Sequence, residues 1–376
     1  MLFVINEATK ANDPVTYPNY FYILDIYVDG DIVARQRIAP DPTYKFGKAD
    51  VSVILRDYVP AYGLKANYAS DTEQYSINLT YHVELGEEYD GITYTNVVTD
   101  SDRTCYKTYA QRPYLSSDVI ASKMNVSPSN RPVMSEAIMT AYKGDKWLLM
   151  PYIGNYSGVT VSCEFGSNGT IVGGGSVDFV YTDVFLGDVM QVNAGFEKLA
   201  NDLGLTQSQK DSVTHLTITN NSSNTYKYVY RCPKLDSYTI AWINPYGAYE
   251  SQSFGFVSKR NNGVSKKDFS KLPYQINASG EVSYDSDGVL YGSKRVYSAN
   301  TKVLLSLTSH ILTDDEYTWL ADLFSSPDVY IFLTDLDRFV PCTIVDSSYD
   351  YRTYMNSRLT PLQFTVEFAE YNSQFL

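Results

Sequence analysis

Alternating hydrophobic and polar positions predict a chain built mainly from short β-strands. Runs rich in Tyr, Ile and Val recur along the whole sequence, and turns rich in Gly, Asn and Ser separate them. The clearest pair of runs lies in residues 20–38, where two strands meet at Asp29-Gly30. Both central positions of a type I′ turn need positive φ, which Asp-Gly readily adopts. The pattern therefore predicts a β-hairpin in the N-terminal block.

A second hairpin is predicted in residues 241–254, which read AWINPYGAYESQSF. The Asn-Pro-Tyr-Gly sequence at 244–247 supplies the turn, Trp242 ends one strand, and Tyr249 returns on the next. The closely spaced rings allow another interpretation, in which they form the rim of a ligand site. We favour the hairpin, whose rings serve packing.

Helices are predicted at only a few places. Residues 51–59 follow Asp50, a good N-cap residue, and carry apolar side chains on one face. Residues 196–204 form a second short candidate that ends at Gly204. The three glycines at 173–175 are predicted to form a flexible turn, since no phosphate-loop spacing surrounds them.

The clearest predicted helix spans residues 314–324. Thr313 and Glu316 have capping-box spacing, in which each side chain accepts a hydrogen bond from the other residue's backbone amide. One apolar face is predicted for this helix, formed by Tyr317, Leu320 and Phe324.

Trp319 falls outside that predicted face. At about 100° per residue it lies about 200° from Tyr317 and about 100° from Leu320. A large ring away from the buried stripe predicts a second contact surface, either another domain or a neighbouring subunit. We favour the neighbouring subunit, which makes Trp319 a candidate interface residue.

The length of 376 residues exceeds what a single core usually supports, and the chain is predicted to contain several domains. A polar stretch containing two prolines marks the boundary. The predicted division is an N-terminal β-rich domain at 1–113, a linker at 114–133, a central β-sandwich at 134–234 and a C-terminal β-rich domain at 235–376 with helix 314–324.

Charge argues against direct binding of nucleic acid. The chain has 30 basic and 43 acidic residues, a net charge of −13, whereas phosphate binding needs a basic face. The acidity has two interpretations. It either keeps the protein soluble or forms a negatively charged surface along which DNA passes without being retained. Hydrophobic residues make up 44% of the chain, enough for real cores.

Cysteine spacing and the length of apolar runs indicate whether disulfides, export or a membrane span should be expected. No CxxC pair or metal-ligand spacing occurs, so free and mostly buried thiols are predicted at Cys105, Cys163, Cys232 and Cys342. The first six residues lack a basic segment, and no apolar run reaches 18 residues. The sequence therefore predicts neither export by a signal peptide nor a membrane span.

Motifs for catalysis, cofactors and metals are missing from the sequence. Three histidines occur, His82, His215 and His310, and none has a catalytic or metal-binding neighbour in sequence. We therefore predict structural roles for them, and tolerance of His→Gln changes apart from effects on folding or assembly. Asp285 and Asp287 are interpreted as turn residues, because Val296 stands where a calcium loop needs its closing Glu.

The chain contains 35 tyrosines, spread almost uniformly along its length. Half-buried strand faces and subunit contacts explain this spread, since a ring buries area at low entropic cost. Stacking of sugar rings is the alternative, and it requires a local aromatic cluster. A pair of glycosidase carboxylates distant in sequence also stays open, although no pair is singled out.

Two groups of segments resemble tail structural proteins of long-tailed phages from gut anaerobes. The first reads YFYILDIYVDGDIVARQRIAPDP, FGKADVSVILRDYV and YHVELGEEYDG; the second reads YTIAWINPYGAYESQSFGF, LTDDEYTWLADLFSSPDVYIF and FVPCTIVDSSYDYRT. The resemblance covers most of 1–112 and 235–376, and the middle block is generic β sequence. It implies β-sandwich domains, with a C-terminal block similar to the tail-tube sandwich flanked by one helix.

The same resemblance implies a non-enzymatic virion subunit, assembled in the host cytoplasm, that forms a ring around the DNA channel in the tail tube, distal tail or baseplate. Its implied partners are copies of itself, other tail proteins and DNA that passes without specific binding, with no membrane and no cofactor. Two alternatives remain: a surface carbohydrate-binding or adhesin β-protein, and a polysaccharide-cleaving tail enzyme with a carboxylate pair in a groove.

Overall fold

The computed structural model describes residues 2–5, 17, 19–59, 64, 72–76, 78–90, 92–106, 138–153, 158–180, 188–219, 225–231, 236–245, 247–286, 289–290, 292–312, 314–345 and 361–368. Strands dominate this part of the chain, and the predicted mainly β fold with several sheets and a few short helices is confirmed. The predicted linker at 114–133, Thr313 and Cys232 lie outside the described residues. Within the described ranges, no helix has the length and apolar character needed to cross a membrane.

Eight strands form the N-terminal region. They are β1 Leu2–Ile5, β2 Phe21–Val28, β3 Asp31–Ile38, β4 Gly47–Asp50, β5 Thr72–Ser76, β6 Asn78–Tyr89, β7 Ile92–Thr99 and β8 Arg103–Tyr106. The predicted hairpin is confirmed, since β2 pairs antiparallel with β3 and both Asp29 and Gly30 have positive φ. The main sheet has the order β3-β2-β6-β7, with β8 also paired to β6. Helix α1, Ser52–Tyr58, follows β4, and its Leu55 lies in the core of this region.

Seven strands and two short helices follow in the central region. The strands are β9 Ile138–Tyr142, β10 Leu149–Ile153, β11 Gly158–Ser167, β12 Thr170–Val180, β13 Asp188–Asn193, β14 His215–Thr219 and β15 Thr225–Arg231; the helices are α2 Phe196–Asp202 and α3 Gln207–Ser212. One sheet has the order β12-β11-β14-β15-β9, and another has the order β10-β13-β5. Because β5 comes from the N-terminal block, this smaller sheet crosses the predicted domain boundary.

The glycine run at 173–175 lies inside strand β12, so the predicted flexible turn is wrong. A Cβ atom on Gly174 would lie 2.6 Å from the carbonyl oxygen of Cys163 on the paired strand. Glycine is therefore needed there for close approach of two backbones.

The described residues of the C-terminal region form eleven strands and one helix, which is longer than the other described helices. The strands are β16 Tyr238–Ile243, β17 Tyr249–Phe254, β18 Val257–Ser270, β19 Gln275–Ile276, β20 Val282–Ser283, β21 Asp285–Ser286, β22 Val289–Leu290, β23 Lys294–Ile311, β24 Val329–Leu333, β25 Arg338–Ile344 and β26 Pro361–Phe368; the helix is α4 Asp314–Ser325. A seven-stranded sheet has the order β17-β16-β24-β25-β26-β23-β18.

The hairpin predicted at 241–254 is confirmed as β16 and β17. Asn244 donates its backbone N–H to the carbonyl of Ala248, and Gly247 takes positive φ in the turn. Every residue of β17 is buried, including its polar residues. Ser251 accepts a hydrogen bond from the backbone of Leu149 in β10, at 2.8 Å, which holds this hairpin against the central region.

One hydrophobic core joins the predicted central and C-terminal domains. Strands of the five-stranded sheet contribute Phe165 and Leu216, and strands of the seven-stranded sheet contribute Trp242 and Phe364 to the same cluster. The predicted boundary at residue 234 therefore does not separate two cores, and the two sheets form one packed unit.

Two cysteines in this shared core allow a test of how readily the core opens. Burial raises the pKa of the thiols of Cys163 and Cys342 to about 12, and only the thiolate reacts quickly with disulfide reagents. In a Cys105→Ser/Cys232→Ser variant, we expect no thiol titration by Ellman's reagent at pH 8 until denaturant unfolds the chain. Two thiols that react within minutes in the native protein would show that this core opens readily.

Candidate interaction surface

The most distinctive feature of the structure is a long two-stranded ribbon, which we call the arm and define as residues 262–303. Strands β18 and β23 pair antiparallel from Val257 opposite Thr308 to Ser270 opposite Lys294. Strand β26 pairs only with the part of β23 from Leu304 onward. The remaining nine residues or so of each strand extend about 30 Å beyond the sheet, at about 3.3 Å per residue.

The arm has no core of its own. Its described side chains from 263 to 299 are exposed or half-buried, and the pairs β19–β20 and β21–β22 lie exposed near its tip. Large apolar side chains are exposed here, including Leu272, Ile276, Tyr284 and Tyr297, each 62–65% accessible. Exposed apolar side chains at this density are typical of contact surfaces.

The arm is basic although the chain is acidic. The arm contains six Lys and Arg against four Asp and Glu, a net charge of +2, whereas the whole chain carries −13. Of the four acidic residues, Asp268 lies on a long strand of the arm and forms an ion pair with Lys294 at 2.6 Å. The long strands therefore present mostly positive charge.

Aromatic and basic side chains share one part of the arm. The rings of Phe269 and Tyr297 have centroids 6.3 Å apart, and Arg295 lies directly opposite Phe269 in the ladder. Nearer the tip, the rings of Tyr274 and Tyr284 are 6.1 Å apart. The sequence did not show these two pairs, because the two rings of each pair are not adjacent in the chain.

The root of the arm is fixed in the shared core. In β23 the alternating residues Val303, Leu305 and Leu307 are buried, directly after the exposed part of the strand. On the other strand, Gly255 joins β17 to β18, and a Cβ there would lie 2.9 Å from the ring of Tyr142. A rigid base therefore holds an arm that lacks its own packing.

Helix α4 packs against this base, and its buried stripe differs from the predicted one. Its buried residues are Glu316, Trp319, Leu320 and Leu323, with the i, i+3, i+4, i+7 spacing of one helix face. Tyr317 and Phe324 are only partly buried. The predicted face differs from the buried one because Glu316 was expected to cap the helix at the surface, whereas its carboxylate is buried.

Trp319 therefore lies in the core of its own chain, which corrects the interface role predicted for it. Its ring centroid is 5.4 Å from that of Trp242, and its indole N–H donates to the carboxylate of Glu250. Trp319 is 2% exposed in the single chain and offers a neighbouring subunit almost no surface. Its second contact surface is the buried hairpin β16–β17.

The carboxylate of Glu250 is fully buried beneath helix α4. Besides the indole of Trp319, the side-chain amide of Asn244 donates to it at 3.3 Å. This polar contact joins the turn of the β16–β17 hairpin to the helix. The sequence carried no signal for it, because Glu250 follows an aromatic turn and resembles a surface residue.

The three histidines lie in different sheets and do not form a common site. His82 stacks on Tyr27 in β2, with ring centroids 4.6 Å apart, and His215 lies in β14, where burial lowers its pKa. His310, at the end of β23, does have a partner: its Nε2 atom is 3.3 Å from a carboxylate oxygen of Glu316. His82 also has a carboxylate neighbour, since its Nδ1 atom is 3.4 Å from an oxygen of Asp102. The sequence showed neither contact, and the contact of His310 joins the root of the arm to α4.

Other candidate residues do not form a chemical centre. Asp285 lies exposed on the arm, and Asp287 is outside the described residues. In the part of the chain that the structure describes, no three His, Cys, Asp or Glu side chains group in a way that could hold a metal ion.

Comparison with known proteins gave no match: no family model, curated protein or solved structure is significantly similar to this chain.

The position of Trp319 predicts a loss of stability rather than of assembly. Trp319→Phe keeps most of the ring but removes the donor to buried Glu250, so we expect a loss of about 1–3 kcal/mol in the free energy of unfolding. Urea denaturation of the full chain measures it. Unchanged stability together with lost self-association would instead restore the interface role.

The contact between His310 and Glu316 predicts a further stability effect. His310→Ala removes a hydrogen-bond partner from a buried carboxylate and leaves a cavity, so the melting temperature should fall by several degrees. His82→Ala, at a half-buried position, is the matched control and should cost less. Equal melting temperatures for the two variants would show that the buried contact contributes nothing.

Proposed function

We propose that the chain is a non-enzymatic structural subunit of a phage tail that assembles as a ring around the DNA channel. Its place is in the tail tube, the distal tail or the baseplate. The observation that carries the proposal is the exposed arm, an apolar and basic ribbon fixed to a well-packed β-sandwich. The resemblance of the N- and C-terminal segments to tail structural proteins supports the same conclusion.

The arm has the physical properties of an assembly element. Docking on a second subunit removes its apolar side chains from water, which gains roughly 25 cal/mol per Å² of buried apolar surface. The backbone groups on the outer edge of the ribbon also remain available for strand addition. An isolated two-stranded ribbon is only marginally stable, so contact with a partner also stabilises the arm itself.

In a ring, the arm of each copy contacts a surface other than the arm on the next copy. Such a contact is heterologous, and successive copies close into a ring when the rotation between them divides a full turn. The rest of the chain is more acidic than the whole, because the arm holds a net positive charge. Acidic groups facing the channel repel phosphates and let DNA pass without retention.

Shortening the arm tests this function. Replacing residues 264–301 with Asn-Gly joins Gly263 to Lys302, which are opposite each other in the ladder, by a two-residue hairpin turn. We expect the full chain to form a discrete ring in mass photometry and negative-stain images. The shortened chain should stay monomeric with a similar melting temperature.

Either of two results would contradict the proposal. The full chain could remain monomeric up to concentrations of roughly 100 µM, which would mean a far weaker affinity than stable assemblies require. Alternatively, the shortened chain could form the same rings as the full chain, which would show that the arm plays no part in assembly.

A surface carbohydrate-binding protein remains the second candidate, because the arm carries two pairs of neighbouring aromatic rings. However, the ring planes of Tyr274 and Tyr284 differ by 66°, and those of Phe269 and Tyr297 by 54°. Neither pair offers a flat platform for a sugar. Glycan-array binding that is lost in a Tyr284→Ala/Tyr297→Ala variant would favour this candidate over the structural one.

A further inference from the structure

We propose that the arm docks on the acidic segment of residues 314–337 in a second copy of the chain. This inference rests on the proposed function and names the surface that the arm contacts. It follows from three observations: the exposed cations Lys266 and Lys267 on the arm, a concentration of acidic residues in one segment of the body, and the lack of an interior in the ribbon.

Two lysines of the arm form ion pairs within the described part of the chain. Among the described residues, Lys294 pairs with Asp268 and Lys302 pairs with Glu367 at 2.8 Å. Over the same described part, no ion pair forms at Lys266 or Lys267, whose side chains are exposed. Several positive charges on one ribbon repel each other, so an acidic partner surface lowers the electrostatic energy of the arm.

The acidic segment comprises helix α4, strand β24 and the turn that follows. Its 24 residues contain seven Asp and Glu and no Lys or Arg. Within the described residues, Glu316 is buried beside His310, and Asp337 pairs with Lys146. Asp335 is exposed in the turn, and Asp322 lies half-buried on the helix. This segment carries the opposite charge to the arm.

The segment also offers a firm surface for docking. Helix α4 is held by the core contacts of Trp319, Leu320 and Leu323, so its outer side keeps a fixed shape. Strand β24 is paired on both sides and mostly buried, so it supports the segment from within, while α4 and the turn after β24 present its surface. An ordered acidic surface loses little conformational entropy on binding, which favours it over a loop.

A second copy is a better partner than nucleic acid. Basic ribbons also attract phosphates, but here the body that carries the arm is strongly acidic and repels them. A copy of the same chain supplies both the opposite charge and a protein surface against which Phe269 and Tyr297 can pack. Binding of nucleic acid by the arm would therefore contradict the inference.

Charge reversal with compensation tests the contact. The arm variant is Lys266→Glu/Lys267→Glu, the segment variant is Asp322→Lys/Asp335→Lys, and the combined variant carries all four changes. Lys48→Glu/Arg56→Glu, at exposed positions in the N-terminal region, is the matched control for net charge. Melting temperatures identify any variant that fails to fold, and mass photometry measures the concentration at which half of the chains are assembled.

We expect the arm variant and the segment variant each to raise that concentration by at least about tenfold. The combined variant should recover assembly, because reversed arms then meet reversed segments. A mixture of the two separate variants should also assemble, because every contact in an alternating ring is between opposite charges. The control variant should assemble like the original chain.

Each opposing result has a distinct meaning. A chain that never assembles refutes the proposed function together with this inference. Rings that form equally well in every variant refute only the inference, as does a combined variant that stays monomeric although folded. Oligonucleotide binding by the original chain in a gel-shift assay, lost in the arm variant, would assign the arm to nucleic acid and also refute the inference.

Discussion

A two-stranded ribbon has no interior, and this constraint governs how the arm is held. Side chains on the arm meet water on both faces, so the arm depends on a root that is packed elsewhere. The root is supplied by β23, which changes from exposed to alternately buried at Val303. The shared core of the two large sheets therefore positions the arm, whose described side chains from 263 to 299 stay exposed or half-buried.

Buried polar contacts organise the region around that root. Glu250 lies in the buried hairpin and receives hydrogen bonds from Trp319 and Asn244, and His310 at the end of β23 contacts Glu316 on α4. A buried carboxylate is costly unless its hydrogen bonds are satisfied, so each contact restricts how the helix and the sheet can pack. These contacts therefore fix the orientation of the base of the arm.

Local signals in the sequence predicted much of the fold. Asp29-Gly30 and the turn at 244–247 predicted hairpins because their backbone geometry is decided by a few adjacent residues. Tertiary features were missed where the deciding neighbour is distant. Trp319 was assigned to an interface because nothing in the sequence shows Glu250 beneath it, and the arm was missed because its polar strands lack the alternation of half-buried strands.

We propose that the arm of one copy contacts the acidic segment of another. The most direct measurement places a photo-reactive benzoylphenylalanine at Tyr297 and irradiates an equal mixture of ¹⁴N- and ¹⁵N-labelled chains under assembling conditions. Mass spectrometry then identifies the crosslinked peptides and shows whether they join two copies. We expect mixed-isotope crosslinks between the arm and residues 314–337. Crosslinks confined to single chains, or to another surface of the second copy, would contradict it.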